Sequence, residues 1–285
     1  MNLKEIKQRI QSVKSTQKIT SAMKLVSAAK LRRAQNTIEN MLPYKQKFDG
    51  ILAAFLKNRQ TLDTPYTVVR EVKKVAIIAL SSNTSLCGGF NANIIREAKE
   101  TIDKYVAAGV NVEILPVGKK IYDAVCKMGY EPNISLMEQA TAVSYNEVAT
   151  VAAGLMERFV SGNVDRVELL YTHFHSAAKQ VPVKETFLPI DVDALAGEAA
   201  ISHEYILEPS SEALLQALLP RAITLQLFTA LLDSVAAEHA ARMMAMQIAT
   251  DNADDLIEEL VREYNKGRQQ AITNELLDIV AGSSN

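Results

Sequence analysis

Apolar residues recur along this chain with changing periods, and the changes divide it into three stretches. At the start, Leu3, Ile6, Ile10 and Val13 alternate steps of three and four residues, the spacing of a coiled-coil seam. Carrying that register forward gives Gln17, Thr20, Lys24 and Ser27 before Leu31, Ala34, Ile38 and Met41, so the seam turns polar in its middle. Apolar character there moves to Ile19, Met23 and Val26, a shift that predicts altered supercoiling or a different face turned to a partner. Near the other end Leu225, Phe228, Leu232, Val235, Met246, Ala249, Ala253, Leu256 and Leu260 keep near-heptad spacing. Ala236, Ala240 and Ala245 are small enough there for close helix approach.

Between these ends the pattern shortens. "VAIIAL" at 75–80 is a continuous apolar run of strand length, followed by a Gly-containing turn and the amphipathic "NIIREAKETIDKYVAAG". "VEILPVG" and "KIYDAVCKMG" repeat that strand-to-helix order, "NEVATVAAGLMERFVSG" supplies another helix, and "RVELLYTHF" and "VPVKETFLPI" supply later strands. The fold class predicted is α/β: a central layered, Rossmann-like domain, with the N- and C-terminal helices pairing as a long antiparallel coiled coil.

Glycine and proline support the division, since each interrupts long helices for its own backbone reason. Neither occurs before Pro43, and 46 residues between Pro220 and Gly267 are free of both. An average helix has about three turns, so helices this long require a partner or an oligomer. The expected domains are an N-terminal helix over 1–60, an α/β domain over 61–204 and a C-terminal helix over 205–285 that pairs with the first, each arm reaching about 80 Å at 1.5 Å per residue.

Charge sharpens this picture. The net charge is only −2, yet residues 1–60 hold thirteen Lys and Arg against three acids, and residues 205–285 hold five against twelve. The two ends are electrostatic complements. The basic helix lacks interleaved aromatics, which argues against nucleic acid. No window approaches the roughly 18–20 consecutive apolar residues of a membrane span. The first thirty residues carry lysines where a signal peptide needs an apolar run. Cys87 and Cys126 form no CxxC pair, which fits a reducing cytoplasm.

Candidate chemistry is thin. "LCGGF" follows a strand, but no GxGxxG or GxxxxGK[ST] is present, so the reading is a structural turn without nucleotide. His173 and His175 could share one side of a strand, with no nearby third ligand to complete a metal set. Cys87, beside two glycines, has no evident cation to activate it.

"ITSAMKLVSAAKLRRAQ" at 19–35, "SLCGGFNANI" at 85–94 and "ITNELLDIVAGSS" at 272–284 resemble, in order, three signatures of the γ subunit family of F-type ATP synthase. "EYILEP" and "AAEHAARMMAMQIATDNADDLIEEL" are similar to that family too, so the resemblance covers nearly the whole chain. It implies a bacterial rotor shaft, peripheral on the cytoplasmic face of the inner membrane. The coil would stand within the α3β3 hexamer, and its foot and the α/β domain would rest on ε and the c-ring. Proton flow would turn the ring and the shaft with it, and bias each β catalytic site between open and closed forms. No catalytic, metal or cofactor residue is implied. Lys14, Ser15, Thr16, Thr20, Ser21 and Ser27 would face a sliding surface, with Met23 near the moving lobe of β. Arg268, Gln269, Thr273 and Glu275 match family positions that meet loops of β. Glu238 and Arg242 would form an i,i+4 pair, reach β, or reach the N-terminal helix. Asn83 and Ser85 stand where the family usually has an acidic residue and a glycine, which leaves the geometry of that turn open. The alternative from another class is a nucleotide-dependent α/β enzyme with a coiled-coil dimerisation arm.

Overall fold

The computed structural model describes residues 2–57, 64–132, 144–191 and 211–283. In chain order the elements are α1 (Leu3–Lys57), β1 (Lys74–Leu80), α2 (Phe90–Ala107), β2 (Asn111–Val117), α3 (Lys119–Lys127), α4 (Tyr145–Val160), β3 (Arg166–Phe174), β4 (Gln180–Leu188) and α5 (Ser211–Ser283). The expected domain boundaries at 60/61 and 204/205 lie outside the described residues, as does "EYILEP". By internal packing the chain forms two compact units, Ala29–Ala241 and Met1–Ala28 with Arg242–Asn285. The helices α1 and α5 each contribute to both.

In the Ala29–Ala241 unit the strands form one sheet in the order β2-β1-β3-β4. β1 pairs in parallel with β2 and β3, and β4 runs antiparallel along the edge of β3. The apolar run of β1 is explained by burial on both faces, the usual condition of a central parallel strand. Val75, Ile77 and Ala79 pack with Ile94, Ala98 and Ile102 of α2 and Ile121 and Val125 of α3. Ala76, Ile78 and Leu80 pack on the opposite side with Leu155 and Phe159 of α4, Phe48 and Leu52 of α1, and Leu215, Leu219 and Ile223 of α5. The long helices therefore form one layer over the sheet.

Two prolines lie inside these helices, Pro43 in α1 and Pro220 in α5. Each lacks an N–H, so the carbonyl four residues earlier loses its helical donor while the helix continues. One eighteen-residue window of α5 has a mean hydropathy of 1.4, and 56% of that window is buried within the protein, as in a core helix.

The turn after β1 is built from side-chain bonds to backbone. The Ser82 hydroxyl donates to the Thr84 carbonyl at 2.6 Å, and the Ser82 amide donates to Asn91 Oδ1 at 3.1 Å. Asn83 Oδ1 accepts the Lys119 amide at 2.8 Å at the start of α3, the acceptor role a carboxylate could also fill. Gly118 precedes α3 with φ +98°, and a Cβ there would stand 2.4 Å from the Ser81 carbonyl oxygen. Only glycine meets both demands. Cys87 is buried with Phe90, Ala237 and Ala241, where it packs the turn onto α5.

Candidate functional site

In the unit of Met1–Ala28 and Arg242–Asn285, α1 and α5 run antiparallel. Gln17 Nε2 donates to Asp254 Oδ1 at 2.5 Å, the Thr20 and Thr250 hydroxyls meet at 2.8 Å, and Lys24 Nζ donates to Gln247 Oε1 at 2.9 Å. Leu3 reaches Gly267, where a Cβ would come within 3.1 Å of its Cδ2. As numbers rise on one helix they fall on the other. The predicted 3-4 register holds on α1: Leu3, Ile6, Ile10, Val13, Gln17, Thr20, Lys24 and Ser27 are each buried or half-buried.

The seam with α5 does not follow the apolar residues, two of which turn a different face outward. Ile19 and Val26 are 59% and 57% exposed, whereas Thr20 and Ser27 are buried at 8% and 3%. Thr20 and Ser27 therefore face α5 and are not on a sliding outer surface; Lys14, Ser15 and Thr16 do face outward. The physical reason is that small hydroxyls can close the seam with local bonds. Ser27 donates to the Met23 carbonyl at 2.8 Å, and Thr20 and Thr250 bond each other. On α5 the buried steps pass through Met246, Thr250, Ala253 and Leu260, with Thr250 taking the place expected of Ala249.

The residues singled out by the family resemblance fall into two groups. Met23 is half-buried on α1, while Glu238 and Arg242 of α5 are buried at 7% and 8% exposure and neither is without an interacting partner. Arg268, Gln269, Thr273 and Glu275 are exposed near the end of α5. There the Thr273 hydroxyl donates to the Gln269 carbonyl at 2.9 Å. At 3.6 residues per turn, Arg268 and Glu275 lie nearly in line, as do Gln269 and Thr273, and the four span roughly 160° of the helix. They form a polar patch that donates and accepts at once.

Interleaved with it, on the same half of the helix, is an apolar set that the seam register alone does not reveal. Ile272, Leu276, Leu277, Ile279 and Val280 of α5 are between 48% and 67% exposed. Leu25 on α1, beside Ile19 and Val26, is 65% exposed. The signal in the sequence is an apolar residue that falls off the seam. Clustered exposed apolar side chains mark a contact surface. The histidine candidate has a structural use: His173 Nδ1 meets Asp233 Oδ2 at 2.5 Å, and Asp233 Oδ1 accepts the Phe174 amide at 2.9 Å, which ties the end of β3 to α5.

A family model described as ATP synthase matches residues 2–285. An ATP synthase gamma chain from Bacteroides thetaiotaomicron is 51% identical over 99% of this chain and 99% of its own length. The chain belongs to the ATP synthase gamma-chain family. An ATP synthase gamma chain from Bacteroides fragilis is 52% identical, again over 99% of each chain. Among solved structures, a chain of the Euglena gracilis mitochondrial ATP synthase in its third rotational state shares the fold, with a TM-score of 0.66 and 22% identity over 99% of this chain and 93% of that one. Membership of this family makes the chain a subunit of a membrane-associated ATP synthase.

Proposed function

We propose that the chain is the central-stalk rotor subunit of a bacterial F1Fo ATP synthase, peripheral on the cytoplasmic face of the inner membrane. It would couple rotation of the c-ring to the state of the catalytic sites in the α3β3 ring, with ε bound at the stalk. It performs no bond chemistry of its own; its work is differential contact. A shaft shifts a β site between open and closed forms only by as much as its contacts differ between them.

The observation that carries this reading is the end of α5. Apolar side chains from Ile272 to Val280 stand exposed beside the polar patch of Arg268, Gln269, Thr273 and Glu275. The apolar part suits a partner surface that packs along that half of the helix. The polar part offers charge-assisted hydrogen bonds that break and reform as the surface turns. Met23, Glu238 and Arg242 would support the same contacts nearer the middle of the coil, Met23 through a flexible and polarizable side chain.

The test is the double variant Arg268→Ala with Gln269→Ala, assembled into the complex in membranes. ATP synthesis driven by an ion gradient is expected to fall severalfold while the amount of assembled complex stays constant. Unchanged synthesis would remove the polar patch from the coupling contacts. Co-purification of the wild-type chain with α, β and ε tests the assignment itself.

A further inference from the structure

The Ala29–Ala241 unit contains a cavity of about 920 Å³ at the open edge of the sheet. Tyr171, His173, Glu185 and Phe187 of β3 and β4 form its floor, α1 from Gln35 to Asp49 forms one wall, and α5 from Ala222 to Asp233 forms another. Its volume lies within the roughly 300–1,000 Å³ typical of sites for small organic ligands. Three-sided enclosure by two helices and a sheet suits a compact body better than a long polypeptide.

The lining is apolar with a surplus of negative charge. Five carboxylates, on Glu39, Asp49, Glu185, Asp191 and Asp233, border it against one lysine and one histidine. Both bases are already engaged, Lys45 with Asp49 at 2.5 Å and His173 with Asp233 at 2.5 Å. Glu185 accepts the Tyr171 hydroxyl at 2.8 Å. Burial first, then the hydrogen bond to Glu185, and after that the charges of Glu185 and Asp233, push the Tyr171 hydroxyl well above the ordinary tyrosine range. Among the described residues no cluster of three or more His, Cys, Asp or Glu is placed to hold a metal ion. An anion would meet repulsion.

We propose that this cavity binds a small amphipathic organic cation, with its aromatic or alkyl body on Ile38, Met41, Leu42 and Phe187 and its ammonium drawn to the carboxylates of Glu185 and Glu39. A ligand with both features gains apolar contact and charge complementarity at one site. A neutral or anionic analogue of the same body gains only the first.

The experiment titrates the full-length chain, at physiological ionic strength, with dansylcadaverine, a naphthalene ring on an alkylammonium tail. Dansylglycine, the same ring on a carboxylate, is the control. Saturable one-to-one fluorescence enhancement is expected for the cation and none for the anion. Glu39→Gln, at an exposed position, is expected to weaken binding severalfold, and Glu39→Gln with Glu185→Gln at least tenfold. Leu42→Arg, also at an exposed position, places a competing cation in the wall and is expected to abolish binding. The circular-dichroism melting curve of each variant reports that the fold is intact. Equal binding of dansylglycine, or an affinity unchanged in these variants, would overturn the proposal. So would loss of the site in the assembled complex, because the face would then belong to a neighbouring subunit.

Discussion

At the buried Thr20–Thr250 contact, two hydroxyl hydrogens are offered three bonds. Thr20 can donate to the Gln17 carbonyl at 3.0 Å, Thr250 to the Met246 carbonyl at 2.8 Å, or either to the other at 2.8 Å. Each hydroxyl has one hydrogen, so one of the three is always unmade. Thr20→Val and Thr250→Val are each expected to cost about 1 kcal/mol, and the double variant less than their sum, because the second loss removes an acceptor already orphaned. Denaturant unfolding followed by far-UV circular dichroism would measure the cycle. Gly118→Ala combines a positive φ with a backbone clash and is expected to destabilise the α/β part by about 3 kcal/mol. Gly129→Ala, at φ +89° with open space around it, should cost about 1 kcal/mol by the same assay. Glu113 has a pH signature. Burial raises its carboxyl, but the Arg158 guanidinium at 2.5 Å and the Lys74 ammonium outweigh that and hold it below the ordinary 4.5. A depressed carboxylate stabilises the fold above its unfolded value, so that stability is lost as pH falls from about 4.5 through the lower folded value. Arg158→Met should flatten this acid limb in a pH series of thermal melts.

At the scale of elements, periodicity conveyed much of the structure. The unbroken run of β1 announces two buried faces, and the 3-4 steps of α1 locate its seam even where the side chains are polar. What it could not convey were partners far along the chain. Glu168, 1% exposed in the middle of β3, reads as a misplaced acid until α2 is packed on the sheet. Tyr105, 63 residues earlier, then donates to its Oε1 at 2.6 Å, and Arg166 Nε lies 2.8 Å from the same oxygen. Burial first, and then Glu168, keep the Tyr105 hydroxyl protonated far above the ordinary tyrosine range. Tyr105→Phe would strip a buried carboxylate of its donor, at an expected cost of about 1–3 kcal/mol in unfolding free energy. The stripe over Ile19, Met23 and Val26 shows a related limit. Periodicity leaves open whether it bends the seam or presents another face, and the exposure of Ile19 and Val26 away from the seam favours the second.

For the molecule as a whole, the ends were read from their complementary charge, and the structure gives that complement a softer form. The cross-helix bonds Gln17–Asp254 and Lys24–Gln247 join a charge to an amide. Of the candidate site, the polar residues on α5 came from the resemblance, while the adjoining exposed apolar residues needed the solvent exposures. Leu276→Asp with Leu277→Asp is expected to change the stability of the isolated chain by less than about 0.5 kcal/mol, as at solvated positions generally. The same pair should sharply reduce recovery of the chain in complex with α and β, measured by affinity pull-down.

Because Leu3 lies against Gly267, near the first turn of α1, α5 continues past the point where its companion begins. From Arg268 to Val280 every residue but the half-buried Ala271 is open to solvent. A solitary helical stretch of this length is marginal in water. Its backbone amides should therefore trade hydrogen for deuterium quickly in the free polypeptide and slowly once it is housed. The tip, in effect, borrows its order from its surroundings.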